Sequence, residues 1–440
     1  MEVTGMTSQE YIQRPLLLQR LITEKDRDMA KVITGIRRSG KSFLLFTIFR
    51  DYLIKQGIPE DRIIAIDLET QKNAQYRDAQ KLYSYITNLI YDRSKKTYVF
   101  LDEIQMVPNF EDLVNGLRID DNCDVYITGS NAQLLSKDIN TRFRGRSVEI
   151  RTFPLSFQEY FSYRQEQNVT GAPAGRNAFL DTRKIFNDYL VEGGMPYSVT
   201  LPSMPEKHAY LNDICNLVLF RDIIDRYKVR NENLLKAVFD LLCSQIGSYV
   251  SANKVANTLK SNGYSHVSAE TISNYLEYFC DSFLLYKAQR YDIRGKAYLK
   301  TLNKYYVTDL GIRNSRLNFR QLEITHSLEN LVYIELVRRG YIVDIGKNRD
   351  KEIDFLVSNG QTDFYIQVSY TVIDEKTRDR ELSAFNLLDD GYKKILITMD
   401  DNPYSNFISD STLLKSELGV KSTLMPLIFS LIIRPWKKYE

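Results

Sequence analysis

The chain has 440 residues, of which 43% are apolar, and this length predicts about three domains with sizeable cores. The net charge of +3 excludes nucleic-acid binding by overall charge, so any such binding requires a local basic patch. The four cysteines match no metal or redox spacing, and no apolar run approaches the roughly 20 residues that cross a bilayer. Residues 1–13 lack a signal-peptide core, and together these features predict a cytoplasmic protein without a membrane partner.

The first motif along the chain is the segment 35–42, which fits the phosphate-binding loop pattern G-x-x-x-x-G-K-[ST]. An apolar strand at 32–34 precedes it and a helix at 43–49 follows, so backbone N–H groups and the helix dipole can hold a polyphosphate. Lys41 is predicted to reach the β- and γ-phosphates and Ser42 a Mg²⁺ ion. The alternative is a glycine-rich turn without a ligand. The predicted nucleotide-binding residues are Gly35, Ile36, Arg37, Arg38, Ser39, Gly40, Lys41, Ser42 and Phe43.

A second motif lies at the end of the apolar strand 97–102, where two acidic residues follow each other. Asp102 is placed to hold Mg²⁺, directly or through water, and Glu103 to act as the general base on the attacking water. The alternative is a buried strand that runs into an acidic turn. The next strand, 124–128, ends in polar residues that can touch the γ-phosphate or the attacking water. The candidates are Thr128, Ser130 and Asn131, with Ser130 or Asn131 favoured.

The segment 142–146 carries three arginines and could supply a cation for the charge of the transition state. An arginine finger of this kind acts from the same chain or from a neighbouring subunit of a homo-oligomer. Arg144 and Arg146 are the candidate catalytic residues. The segment could equally be a solvated turn or a nucleic-acid contact.

The order of the predicted strands and helices indicates an α/β protein. Strands alternate with helices over residues 1–150, which indicates a P-loop ATPase core with a parallel sheet and helices on both faces. Residues 151–233 are predicted to form a helical lid and connecting helices, with a Gly-Gly-Met-Pro turn at 193–196.

Residues 234–315 match a winged helix-turn-helix. Helices near 252–259 and 268–276, the second with Ser268 as N-cap, precede a hairpin of 283–291 and 303–308. Basic residues with interleaved tyrosines surround the hairpin and favour DNA phosphate contacts, although such a module can also bind protein. These basic residues are Lys287, Arg290, Arg294, Lys296, Lys300 and Lys304.

Residues 320–440 carry a helix and three strands with the pattern of a metal-dependent nuclease. Glu329 and Asp354 could hold Mg²⁺, but the third strand offers Gln367 and Ser369 where such a site needs an acid and a lysine. We therefore expect no nuclease activity. Residues 427–433 are apolar enough for a buried strand, and the segment 402–440 suggests no role.

Together these motifs resemble the prokaryotic ATPases that join an AAA-type P-loop domain, of the archaeal-ATPase and STAND-like branch, to a C-terminal domain of the DUF4143 type. The resemblance covers residues from about 10 to 400. It implies ATP as the nucleotide, a winged helix and a restriction-endonuclease-like domain. Two functions remain open: ATP hydrolysis coupled to binding of double-stranded or branched DNA, or an ATP-dependent switch or scaffold for a partner protein. The segments that carry the resemblance are 35–42, 101–105, 128–130, 144–146, 153–157, 193–196 and 352–354.

Overall fold

The computed structural model describes residues 11–130, 143, 145–168, 178–320, 323–385, 388, 390–400 and 420–422. The chain divides into two compact units: the first comprises 1–155, 165–167 and 281–283, and the second 156–164, 168–280 and 284–440. Within the described ranges, no helix combines the length and the apolar character that a membrane crossing requires. The boundaries predicted at 150, 233 and 315 stay predictions.

The first unit is built on a five-stranded sheet with the order β2-β3-β4-β1-β5, in which all neighbours are parallel. The carboxyl ends of parallel strands lie at one edge of a sheet, so the loops after β1, β3 and β4 are neighbours there. The strands are β1 Ala30–Thr34, β2 Ile63–Asp67, β3 Thr97–Asp102, β4 Cys123–Thr128 and β5 Ser147–Arg151.

Helices cover both faces of this sheet, because successive side chains of a strand point to opposite faces. Val32 belongs to a core formed with the helices Ala79–Leu89 and Phe110–Ile119. Ile33 belongs to a second core, formed with the helix Pro15–Glu24 and with the helix that follows the phosphate-loop motif. The α/β class with a doubly covered parallel sheet is confirmed. The helix after the motif runs through Lys41–Phe43, a π-helical stretch Leu44–Phe49, and Arg50–Lys55.

The second unit begins with helices that confirm the predicted helical stretch after residue 154. The turn between two of them, at Gly193 and Gly194, is fixed against Asp309, whose Oδ2 accepts a hydrogen bond of 2.7 Å from the N–H of Gly194. A Cβ on Gly193 would lie 2.4 Å from Asp309 Oδ1, so the turn needs glycine for packing as well as for its φ of 74°. The helices are Phe157–Asn168, Ala178–Glu192, Pro196–Thr200, Met204–Leu217 with its π-helical continuation Val218–Ile224 and Asp225–Tyr227, and Glu232–Ser244.

The predicted pair of helices before the hairpin is confirmed as Ala252–Ser261 and Ala269–Asp281. Ser268 caps the second, since its hydroxyl accepts a hydrogen bond of 3.0 Å from the N–H of Thr271. The hairpin is also present, as the antiparallel strands β7 Leu285–Asp292 and β8 Ala297–Val307.

This hairpin is part of an eight-stranded sheet with the order β13-β12-β11-β10-β9-β7-β8-β6. Strand β7 pairs in parallel with β9, so one sheet crosses the boundary predicted between 315 and 320. The three predicted C-terminal strands are β9, β10 and β11, while residues 427–433 lie outside the described part of the chain. The remaining elements are β6 Tyr249–Val250, β9 Ile342–Asn348, β10 Lys351–Ser358, β11 Asp363–Val368, β12 Lys393–Ile397, β13 Val420–Ser422 and the helices Leu310–Arg316, Ile324–Arg338 and Glu375–Ser383.

Candidate nucleotide-binding site

In the loop between β1 and the following helix, three residues have a positive backbone φ. Gly35 has a φ of 138°, Arg38 of 68° and Gly40 of 95°. A Cβ on Gly35 would lie 2.3 Å from the carbonyl oxygen of Thr152 and 2.4 Å from its Oγ1, so no other residue fits there. A left-handed non-glycine residue such as Arg38 costs about 1 kcal/mol or more, and such conformations cluster at ligand sites.

Two residues that no motif indicated hold this loop in place. The buried guanidinium of Arg14 donates from Nη1 to the carbonyl oxygen of Ser39 at 3.0 Å and from Nη2 to that of Phe153 at 2.7 Å. The hydroxyls of Ser39 and Thr152 lie 2.8 Å apart. The only sequence signal for Arg14 was its place directly before Pro15, where the first helix starts. These contacts attach the loop to the chain before β1 and to the segment after β5.

The loop also contains the predicted phosphate-binding lysine. The Nζ of Lys41 donates to the carbonyl oxygens of Gly35 at 2.9 Å and Ile36 at 3.1 Å, which keeps the ammonium within the loop. The next residue, Ser42, donates from Oγ to Oδ2 of Asp102 at 2.7 Å. The structure thus brings the two predicted Mg²⁺ ligands together, Ser42 from the helix after the loop and Asp102 from the end of β3.

The two acidic residues at the end of β3 are held by a hydroxyl from β4. Thr128 Oγ1 donates to Oδ1 of Asp102 and accepts a hydrogen bond of 3.0 Å from the N–H of Glu103, whose φ is 52°. Gln105 donates from Nε2 to the Glu103 carboxylate. Burial raises the pKa of both carboxyls, against the lowering effect of the hydrogen bonds from Thr128 and Ser42 to Asp102 and of the Lys41 charge on Glu103. Buried carboxylate and hydroxyl oxygens in this arrangement fit a divalent cation that prefers oxygen ligands, such as Mg²⁺.

The other predicted nucleotide-binding residues also lie at this edge. Arg37 pairs with Glu69 at 3.3 Å, and Ile36 is buried. Phe43 is 40% exposed, and its ring centroid lies 5.4 Å from that of Tyr11 in an edge-to-face arrangement. Of the candidates after β4, Ser130 is buried, whereas Asn131 lies outside the described residues, as does Arg144.

Arg146 lies at the opposite edge of the sheet. Its carbonyl oxygen accepts a hydrogen bond from the N–H of Ala30, at the start of β1, and its Nη1 lies 2.9 Å from Oδ2 of Asp28. The loop after β1 begins about 15 Å away, at the other end of a five-residue strand. This position does not suit a finger that acts on the nucleotide of the same chain. A role on the nucleotide of a neighbouring subunit stays a prediction.

In the second unit, the structure corrects one member of the predicted basic patch. Lys304 is only 4% exposed, and its Nζ lies 3.0 Å from Oε1 of Glu329 and 2.6 Å from Oε1 of Glu352. Because its side chain points from β8 into this carboxylate cluster, the prediction that Lys304 contacts phosphate was wrong. Among the patch members whose side chains the structure describes, Lys287, Arg294 and Lys296 are exposed, and the side chain of Lys300 lies outside the described part.

The predicted remnant of a nuclease site lies around the same cluster. Oδ2 of Asp354 accepts a hydrogen bond of 2.8 Å from the N–H of Val368, and Gln367 accepts one of 3.0 Å from the N–H of Asp354. Burial and the Glu329 charge raise the pKa of Asp354 well above its usual value. Among the described residues, no group of three or more His, Cys, Asp or Glu side chains could hold a metal ion. The expected lack of nuclease activity stays a prediction.

Comparison with known proteins supports the prediction of an AAA-type P-loop domain in the first unit. Residues 27–161 match the AAA domain family. An uncharacterized protein of Haemophilus influenzae is 41% identical over 393 residues, 89% of this chain and 94% of that protein. The uncharacterized protein MJ1544 of Methanocaldococcus jannaschii is 30% identical, over 86% of this chain and 84% of that protein. The chain belongs to the same family as these two proteins. Its amino-terminal part is an AAA-type P-loop ATPase domain.

For the rest of this AAA protein the matches differ from the sequence-based resemblance. Residues 183–323 match a domain of unknown function, DUF8612, so the DUF4143 part of the resemblance is not confirmed. Among solved structures, the Walker-type ATPase PABY2304 of Pyrococcus abyssi aligns with a TM-score of 0.47 and 13% identity, over 72% of this chain and 99% of that one.

Proposed function

We propose that this AAA protein binds ATP with Mg²⁺, hydrolyses it, and couples its nucleotide state to DNA binding by the second unit. The observation that carries the ATPase proposal is the convergence of three side chains and the backbone of Glu103 at one edge of the sheet. Ser42 and Asp102 lie within hydrogen-bond distance, and Thr128 links Asp102 to the backbone of Glu103.

Each residue then has a defined task. The backbone of the loop and Lys41 bind the phosphates, while Ser42 and Asp102 hold Mg²⁺, which neutralises phosphate charge when bound. The carboxylate of Glu103 orients the attacking water and takes its proton. Arg144 or Arg146 from a neighbouring subunit of a homo-oligomer supplies positive charge to the transition state.

The DNA part of the proposal rests on exposed charge at the hairpin of β7 and β8. Lys287, Arg294 and Lys296 are exposed there, and the helices Ala252–Ser261 and Ala269–Asp281 precede the hairpin in the chain. Exposed cations on a hairpin that follows a helix pair suit the phosphates of double-stranded or branched DNA. The alternative is an ATP-dependent switch or scaffold, in which the same surface contacts a partner protein.

The ATPase proposal is tested by phosphate release from ATP, with Lys41→Ala as the inactive control. We expect turnover in the wild-type protein and none in the variant, because the lysine binds the phosphates that are transferred. Equal release by both proteins would refute the assignment of this loop. Adding single-stranded, duplex or branched DNA then tests coupling: stimulation by one form supports the DNA proposal, and indifference to all three supports a protein partner.

The DNA surface is tested by replacing the three exposed hairpin cations with alanine. Binding of duplex DNA should weaken and lose about 0.9 from the slope of log K against log salt for each phosphate contact removed. The matched control removes three equally charged, exposed residues of the first unit, namely Lys55, Lys72 and Lys95. Equal binding by the two triple variants would refute the hairpin as the DNA surface.

A further inference from the structure

Two stacked tyrosines of the second unit lie beside a basic segment to which the proposed function gives no role. The rings of Tyr227 and Tyr278 are nearly parallel, at 11°, and their centroids lie 3.8 Å apart. Tyr278 belongs to the helix Ala269–Asp281, and Tyr227 is the last residue of the helical stretch before Glu232–Ser244. Both tyrosines remain partly exposed. A partly exposed aromatic pair can stack on an unpaired nucleobase, since every base has a π-face.

The basic segment 221–230 carries four cations around Tyr227. Three of them are exposed and the fourth is partly exposed. In the described part of the chain, none of the four forms an ion pair with a carboxylate. The segment ends against the helix of Tyr278, because the hydroxyl of Tyr275 lies 3.5 Å from the carbonyl oxygen of Asn231. The four cations are Arg221, Arg226, Lys228 and Arg230.

One of these cations stands where a helix usually carries glycine. Lys228 has φ 53° and ψ 46°, and the N–H of Val229 after it donates to the carbonyl oxygen of Ile224 at 3.1 Å. This hydrogen bond closes the helix end, and the left-handed position inside it favours glycine. A lysine there is strained, and such a departure from local preference is typical of functional positions.

The helix that carries Tyr278 does not itself suit the groove of a duplex. Its sequence contains no lysine, arginine or histidine, and it exposes the carboxylates of Glu270 and Glu277. These charges oppose the close approach of the two phosphate strands that border a groove. A single strand needs no groove: its bases can reach the tyrosines while its phosphates contact the segment 221–230, whose four cations outnumber its two aspartates.

From these observations we propose that the surface formed by Tyr227, Tyr278 and the four cations of 221–230 binds single-stranded nucleic acid. An unpaired base stacks on the tyrosine pair, and the neighbouring phosphates contact the cations. Exposed aromatic rings and cations without carboxylate partners are the two features that such binding requires. The inference goes beyond the proposed function, because it needs neither ATP hydrolysis nor duplex binding by the hairpin of β7 and β8.

The test is fluorescence anisotropy with labelled single strands of about 15 nucleotides, as DNA and as RNA of the same sequence. Tyr227→Leu should weaken binding about tenfold, whereas Tyr227→Phe, which keeps the ring, should bind like the wild type. The matched control is Tyr197→Leu, since Tyr197 is also exposed and its ring centroid lies 4.9 Å from that of Tyr210. Tighter binding of either DNA or RNA supports the proposal and identifies the strand.

Lys228→Gly tests the charge without disturbing the fold. Glycine suits the left-handed position, so Tm should stay the same or rise. Binding should nevertheless weaken, and the slope of log K against log salt should fall by about 0.7, the value for one phosphate contact with a single strand. Lys228→Arg, which keeps the charge, should retain the wild-type slope. If Tyr227→Leu does not fold, Lys228→Gly decides the question.

The hairpin variant with three alanines separates this inference from the proposed function. It should bind single strands as the wild type does, even where its duplex binding is lost. Equal affinity of wild type, Tyr227→Leu and Lys228→Gly for single strands would overturn the inference. Absence of single-strand binding by the wild-type protein would also overturn it and would favour a protein partner for this surface.

Discussion

Asp309 is a buried carboxyl of the second unit, and we predict that its ionisation changes the local stability around it. It is 4% exposed, and its carboxylate accepts hydrogen bonds from the N–H groups of Gly194 at 2.7 Å and Ile312 at 3.0 Å. Burial is the largest effect and raises the pKa of Asp309 to about 6, although these N–H groups and the Arg338 charge favour the ionised form. Asp309 therefore makes the contact between the Gly193–Gly194 turn and the helix Leu310–Arg316 sensitive to pH.

The sign and size of the effect follow from linkage. In the unfolded chain Asp309 releases its proton near its ordinary pKa of 3.8, and in the folded protein only near 6. Between these values the folded state binds more protons, so the free energy of unfolding falls as pH rises. The stabilisation is complete below about pH 4 and lost above about pH 6, and the difference amounts to about 3 kcal/mol.

The assay is native-state hydrogen exchange of peptides that cover residues 193–200 and 309–316, from about pH 4 to pH 7, corrected for intrinsic exchange. In the wild-type protein the opening free energy of both peptides should fall over this range by up to about 3 kcal/mol. Asp309→Asn, which cannot ionise, should remove that fall while peptides elsewhere in the chain keep their behaviour. Identical pH dependence in wild type and variant would refute this account of the carboxyl.

Three further predictions concern single sites. Glu103→Gln should keep ATP affinity but lower kcat at least about a hundredfold, because Mg²⁺ ligation survives; wild-type turnover would exclude this base. Gly35→Ala should abolish ATP binding in a filter or fluorescence assay, whereas Gly57→Ala, also at positive φ but in open space, should cost only about 1 kcal/mol of stability. Lys304→Met should lower the free energy of unfolding by about 3 kcal/mol in a chemical melt, because it leaves Glu329 buried without its cation. Adding Glu329→Gln should restore part of that loss; no restoration would contradict the pairing.

The sequence predicted the first unit well because its chemistry is local. The segment 35–42 is contiguous, and its flanking apolar runs fix the strand and the helix that present it. Asp102 and Glu103 could be placed at the same edge because parallel strands bring their carboxyl ends together. The positions of Arg14 and Thr152 could not be predicted, since these residues act on the loop through contacts that are distant in sequence.

In the second unit, the sequence did not predict correctly which face of a strand the Lys304 side chain occupies. Lys304 belongs to a basic run in the sequence, yet it faces Glu329 and Glu352, because the helix Ile324–Arg338, which carries Glu329, packs against β8. The alternation along β8 gave no way to choose which face was covered, since the covering residues lie 25 and 48 positions further along the chain. The parallel pairing of β7 with β9 likewise cannot be predicted from the sequence of either strand alone.

That pairing has a mechanical consequence. A hairpin attached only by flexible linkers could tilt on its own when a ligand binds it. Here β7 is hydrogen-bonded to β9, and β9 to β10. We therefore expect the hairpin and these two strands to move together as one group. Any ligand that displaces the hairpin must carry the C-terminal strands along with it, and the carboxylate cluster around Lys304 moves as part of the same rigid piece.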